Sequence, residues 1–389
     1  GPALGQVYTA IDLGSLGGWH TEPYAVNGPG QVVGASAVSG QWPYHAFLWT
    51  PDEGMTDLGT LDGGSWSEAR GINDASQVVG VSEVAEGLNH AFLWLPRDAY
   101  GLPAGMNDLG TLGGCCSTAY DINNLGQVVG EAATADGSYH AFIWLPEPAY
   151  GLPAGMNDLG TLGGPSSMAV AINDAGQVVG ASDVAGGQTY HAFCWHNGVM
   201  RDLGVLPGGN RSWALDINSR GDIVGGAVTA AGAGHAVLWR AGGPAEDLGT
   251  LGGFLSEAYA VNDAGVIVGS AETRLGPARP MLYRGGRMFD LTGLIQGQVT
   301  AAFEWANDIN NAGQIVLPGF LPPADGACHA YLLSPAADSD GDSDVDLLDF
   351  AHLQECFTGP GEPASIRCRQ SFDFDGDADV DLHDFYDFI

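Results

Sequence analysis

The sequence predicts an all-β chain, a seven-bladed β-propeller closed by its own N-terminal strand, with a small helical module after it. Three observations predict this: a unit repeated seven times, four strand-like segments in each unit, and an orphan strand at the start of the chain. Three short signatures carry the repeat, 43 to 51 residues apart. One is Asp-Leu-Gly, at Asp12, Asp57, Asp108, Asp158, Asp202, Asp247 and, more weakly, Asp290. The next reads Ile/Val-Asn-x-x-Gly-Gln-Val-Val-Gly, with its Asn at Asn27, Asn73, Asn123, Asn173, Asn218, Asn262 and Asn310. The last is His-Ala-Phe-Leu-Trp, at His45, His90, His140, His191 and His235; it degrades at Arg279 and returns at His329. A period of this length signals a repeat architecture.

The segment ending in Ile-Asn is the first strand, and Gln-Val-Val-Gly is the second. Between them, Asn-Asp-Ala-Gly and its relatives have the chemistry of a short hairpin turn. His-Ala-Phe-Leu-Trp, rich in aromatic and branched residues, is the third. Asp-Leu-Gly ends the fourth. Helical periodicity is missing throughout the repeats, and four strands in about 45 residues describe a propeller blade. The phase adds closure. Val7 to Gly14 reads as a fourth strand with no partners before it, while the seventh unit stops near Pro335 without one. The first can complete the last and remove the open sheet edges. The propeller is therefore assigned to residues 1–334 and the second module to 335–389. Leu95–Met106 and Leu145–Met156 are near-identical long connections between third and fourth strands, given no special role.

Charge narrows the partners. The formal net charge is −34, from 46 acidic residues against 12 basic ones, and every basic residue is Arg. Such a chain has no basic patch for a phosphate backbone, which argues against nucleic acid, and no apolar run long enough to insert in a membrane. Cations, proteins and neutral polysaccharides remain. The start at Gly1 is read as a mature end left by signal-peptide removal, placing the protein outside the cell or on its surface. Six cysteines agree with an oxidising compartment.

These motifs resemble the extracellular repeat family named for its His-Ala-Phe triplet, over roughly residues 7 to 334. The resemblance implies export and a β architecture, and no activity. The six repeat histidines, the Asp before Leu-Gly and the turn Asn recur in nearly every unit, so they are expected to serve architecture, the His as a partly buried ring bonded to a neighbouring turn. Function should lie where the repeat fails. Cys115-Cys116 is an adjacent pair that could form a vicinal disulfide; Cys194 is expected as an apolar filler, and Cys328 has no evident mate. Asn210-Arg211-Ser212 fits the N-glycosylation triplet at Asn210. No catalytic residue is assigned, because no nucleophile elbow, zinc-protease helix or phosphate loop occurs.

The strongest chemical signal follows Ala337. Asp338, Asp340, Asp342, Asp344, Asp346 and Asp349 recur in the same frame as Asp373, Asp375, Asp377, Asp379, Asp381 and Asp384. Carboxylates at loop positions 1, 3, 5 and 12 are the hard oxygen ligands calcium requires, so two calcium ions are expected, coupled to folding of the loops. This segment resembles a type I dockerin, a paired EF-hand-like module. It departs from the pattern at the sixth loop position, Ser343 and Ala378, where Gly is usual, and the second half is incomplete. Cys356 and Cys368 flank the connector and could bridge. The leading expectation is a secreted, non-enzymatic structural or assembly protein. Its calcium module would dock onto a protein partner or another copy, with filaments as one outcome. The alternative is a lectin-like propeller that binds glycans or surfaces, with Trp66 and Trp213 as the aromatic candidates; a hydrolase or quinone-dependent enzyme ranks below both.

Overall fold

Antiparallel hairpins in series account for the whole architecture. A computed structural model describes residues 7–335, apart from 187–188, 241–242, 275, 297–298 and 322–326. Blade 1 is Thr21–Val26, Val32–Ala37, Tyr44–Thr50 and Gly54–Asp57, each strand pairing with the next. Blades 2 to 6 repeat this order, and blade 7 holds Asp308–Ile309, Ile315–Phe320 and Cys328–Pro335. Its outer strand is Tyr8–Asp12, from the other end of the chain, in register from Tyr8 opposite Pro335 to Asp12 opposite Tyr331. The orphan strand closes the ring as expected, with Tyr8 fully buried. Helix is confined to two short 3-10 turns among the described residues.

The apolar core lies between blades. The second and third strands of one blade and the first three strands of the next bury their branched and aromatic residues against each other. Ile143 and Leu145 thus pack with Val178, Phe193 and Trp195. Seven such clusters encircle the axis, so each blade is half of two cores and none buries its apolar faces alone.

Recurrent polar residues join the blades. The hydroxyl of Ser117, in blade 3, accepts from the Ala91 amide of blade 2 at 2.8 Å and donates to the Gly110 carbonyl at 2.6 Å. Ser67, Ser167, Ser212 and Ser256 do the same at their own seams. The long connections also staple blades. Tyr100 hydrogen-bonds Gln77 of blade 2, and its ring meets Trp144 of blade 3 edge-on; Tyr150 repeats this with Gln127 and Trp195.

The Gly of Gln-Val-Val-Gly has a steric cause. A Cβ on Gly130 would collide with the Thr118 carbonyl of the adjacent strand, as would its counterparts in the other regular blades. That approach is close because the first strand bulges there. Ala119 pairs with Gly130 and Asp121 with Val129, leaving Tyr120 as an extra residue. Blades 1 to 6 all carry this bulge.

Candidate functional site

Each first strand lines the central channel, and its bulge presents two consecutive residues there. In blade 3 these are Tyr120 and Asp121; in blade 4, Val170 and Ala171; in blade 5, Leu215 and Asp216. Together with Tyr24, Arg70, Tyr259, Asn307 and Asp308 they enclose a cavity of about 340 Å³.

The lower mouth is closed by asparagine. Asn27 Nδ2 donates to the Asn73 carbonyl of the next blade at 3.0 Å, and the same bond recurs around the ring until Asn310 donates to Asn27 at 2.9 Å. Seven links of 2.9 to 3.2 Å form a complete cycle. Within each hairpin the Asn Oδ1 accepts from the amide four residues on, as Asn123 does from Gln127. The turn is completed by glycine at positive φ, such as Gly126 at 76°, or in blade 2 by Ser76 at 58°.

Above this ring sit three aspartates that the motif reading passed over. Asp121 accepts from its own blade's Ile122 amide at 2.7 Å and from the Ile172 amide of blade 4 at 2.8 Å. Asp216 joins Ile217 to Val261 in the same manner, and Asp308 joins Ile309 to Val26. Each bridges to a blade carrying Ala at the matching position: Ala171, Ala260 or Ala25. Burial raises all three carboxyls. Asp121 is pushed up to about 6 and Asp308 to about 7, while Asp216 is raised well above the usual range by burial and then by Asp308. Their surroundings are dense, yet each keeps a partly open edge on the channel. Strongly shifted acids in a cavity can mark catalysis; here one oxygen of each carboxylate takes an amide of its own blade and the other an amide of the next, so each joins two blades.

The upper part of the channel has no such repetition. The Arg70 guanidinium lies between two rings, 5.2 Å from the centre of Tyr24 and 5.6 Å from Tyr120, and donates to Glu68 at 2.7 Å. The Tyr24 hydroxyl donates to Glu22 at 3.2 Å and that of Tyr120 to Glu131 at 3.0 Å. Burial, then the adjacent carboxylate, raises both phenols, which remain neutral donors. Opposite stand Val170 and Leu215.

The upper face, where the first strands begin and the second-to-third hairpins end, is aromatic. In blade 1, Trp42 is 56% exposed and Trp19 57%. Trp42 meets Tyr44 edge-on at 5.3 Å and lies 6.3 Å from Trp66, while Tyr44 meets His20 at 5.4 Å. Across the mouth, Tyr139, Tyr190, Trp213 and Met168 line a groove of about 410 Å³ with Glu131 and Asp183. Trp213 is held by its Nε1 donating to Glu257, and it lies 6.2 Å from Tyr190. The two sequence-selected tryptophans are thus half-buried anchors, and the more exposed rings, Trp19 and Trp42, were missed. A Trp-Pro pair in a hairpin loop was the available signal for Trp42.

The repeat histidines are architectural, with a partner other than the one expected. His140 Nδ1 lies 2.8 Å from the Asp158 carboxylate on the adjacent fourth strand, not at a turn. That carboxylate in turn accepts the Gly160 amide at 2.7 Å. His45, His90, His191 and His235 repeat the pair, and His329 makes it with Asp12 across the ring closure. Cys115 and Cys116 are in the thiol form, with sulfurs 2.7 Å apart; Cys194 and Cys328 are also free. Burial raises the thiols of both Cys194 and Cys328, the latter to about 12. Asn210 is exposed, while the Ser212 hydroxyl of its triplet is engaged between blades. The twelve aspartates of the tail, Cys356 and Cys368 lie outside the described residues. Among the described residues no group of three metal-ligating side chains converges, and no helix is long and apolar enough to cross a membrane.

No family model and no curated protein matches the sequence. Solved structures match in fold. An acylaminoacyl peptidase from Pyrococcus horikoshii aligns with a TM-score of 0.50 at 10% identity, over 86% of this chain and 54% of that one. TolB from Acinetobacter baumannii aligns at 0.41 and 12%, over 75% and 60%. A gluconolactonase from Xanthomonas campestris aligns at 0.38 and 11%, over 86% and 96%. The chain thus spans a little over half of the first two proteins. At these identities the likeness shows the propeller fold and nothing of activity.

Proposed function

We propose that this is a non-catalytic, polysaccharide-binding propeller that works outside the cell and is anchored through its calcium-binding tail. The carrying observation is the pair of aromatic sites on one face, Trp19, Trp42, Tyr44 and Trp66 on one side of the mouth and Tyr139, Tyr190 and Trp213 on the other. A sugar ring offers a flat apolar C–H face and a rim of hydroxyls. Aromatic rings meet the first, and neighbouring carboxylates such as Glu131 and Asp183 accept from the second. A neutral polymer suits a chain whose net charge of −34 repels anions. Two sites on one face engage one long chain together, which raises avidity without tight individual sites. In this reading the carboxylates of Asp338 to Asp349 and Asp373 to Asp384 hold two calcium ions and fold the tail into a docking surface for a protein partner or a second copy. The His-Ala-Phe-repeat resemblance supports export.

The test is affinity electrophoresis of the full chain through gels of neutral polysaccharides, with calcium and with chelator. Retardation should survive chelation and fall roughly 10-fold in Trp42→Ala or Trp213→Ala, and further in the pair. Retardation unchanged in the double variant refutes the aromatic sites. Failure of calcium to alter the chain's far-ultraviolet spectrum refutes the tail assignment separately.

A further inference from the structure

We propose that Cys115 and Cys116 form a reversible redox pair that closes to a vicinal disulfide on the upper face of the propeller. In a regular strand, adjacent side chains point to opposite faces and their sulfurs stay apart. Here the strand Gly113–Ile122 is irregular at the pair. Gly113 lies opposite Thr134 but Ser117 opposite Ala132, so four steps on one strand face two on the other. At this bulge the two sulfurs lie 2.7 Å apart.

The fold does not require cysteine there. The same irregularity occurs between Gly163 and Ser167 and between Gly252 and Ser256, where the matching residues are Pro165-Ser166 and Phe254-Leu255. The backbone irregularity is therefore shared by several blades, and only blade 3 fills it with thiols.

The surroundings suit exchange with solvent oxidants. Cys115 is exposed and Cys116 half-buried against the Asn89 backbone of blade 2. The Tyr139 hydroxyl lies near both sulfurs. Burial, followed by the bond to Cys115, raises the Cys116 thiol, and the exposed Cys115 sulfur is the one an oxidant meets first. With a small disulfide oxidant such as oxidised glutathione, the Cys115 thiolate attacks one sulfur and releases one glutathione thiol. Cys116 then displaces the second glutathione. One S–S bond is broken and one formed, and the two cysteine protons end on two glutathione thiols. Adjacent Cα atoms are only about 3.8 Å apart, below the span that disulfides favour, so the eight-membered ring is readily reduced again.

The experiment oxidises the reduced full chain with excess oxidised glutathione, alkylates the remaining thiols and maps peptides by mass. The expected product is a peptide carrying Cys115 and Cys116 that escapes alkylation, weighs about 2 Da less than its dithiol form and regains both thiols with dithiothreitol. Cys116→Ser should stop at a glutathione adduct on Cys115. Cys115→Pro with Cys116→Ser copies the blade 4 sequence, so its native far-ultraviolet spectrum shows that redox chemistry and fold are separable. Two alkylated thiols after oxidation, or a separate glutathione on each sulfur, overturns the proposal.

Discussion

The two ends of the channel are built from the same seven strands and follow opposite rules. At the lower mouth every blade supplies the same residue, Asn, making the same bond to its neighbour, and the result is a closed cycle. Three residues earlier on the same strands, the upper channel presents Tyr24, Arg70, Tyr120, Val170 and Leu215, with no two successive blades alike. The backbone is equally regular at both ends, so the difference lies in the use made of it. Recurrent residues hold blade to blade, and the places where recurrence stops have side chains to spare for another molecule.

Opening the cycle should have the largest effect. Deleting residues 1–12 removes the Tyr8–Asp12 strand, the buried Tyr8 and the Asp12 partner of His329. It leaves Ile315–Phe320 and Cys328–Pro335 with an unpaired edge, and the bond from Asn310 to Asn27 then joins two loose ends. The expected result is loss of a single cooperative thermal transition, with concentration-dependent light scattering as free edges associate. A midpoint equal to that of the full chain would show that closure contributes nothing.

A smaller break keeps the ring but removes one link. Asn123→Ala takes away the donor to the Asn173 carbonyl and the acceptor for the Leu125 and Gln127 amides, all in a place that water reaches poorly. Stranding several buried polar groups should cost about 2–4 kcal/mol, read from urea denaturation. A cost under about 0.5 kcal/mol would mean that water replaces the link and that the lower mouth is no more cohesive than the upper one.

The recurrent end was the more legible in sequence, for a physical reason. Seven copies of Asn, His and Asp declare themselves by period alone, and a fourth strand without predecessors fixes ring closure by arithmetic. A period cannot reveal partners. Nothing in Ile-Asn-x-x-Gly says that the Asn amide reaches the carbonyl of its own counterpart one blade on. Equally, nothing in His-Ala-Phe says that His140 faces Asp158 across a strand pair rather than a turn. The bulge was hidden as well, because an extra residue in one strand leaves the spacing of motifs unchanged. With it went the channel residues. Asp121, Asp216 and Asp308 each precede Ile-Asn in what reads as ordinary strand, and their distinguishing mark is the Ala at the same position in the following blade. Trp42 sits in a loop outside the repeat, and Trp19 follows Leu-Gly-Gly at a position where the residue changes from blade to blade, so no period points to either.

Those three aspartates sit between the two ends and combine both rules, since they recur only in alternate blades, 3, 5 and 7, and each still joins its blade to the next. Burial is the main cause of their raised values, about 6 for Asp121 and about 7 for Asp308, with the carboxylates adding to one another's shifts. The sign follows from a folded value above the unfolded one. Their contribution to stability is complete below about pH 4, where both states bind the proton, and is lost as the pH rises through about 6 to 7. Asp121→Asn does not titrate and keeps one acceptor, for either Ile122 or Ile172. Wild type should therefore lead the variant most at about pH 4, and the gap should narrow by about 1–3 kcal/mol by pH 8, the open edge on the channel letting water temper the shift. Paired urea titrations across that range measure the gap directly and cancel the background repulsion of a chain this acidic. A gap that stays constant would place the Asp121 titration outside the range, and the carboxylate would then belong with the asparagines as a fixed strut.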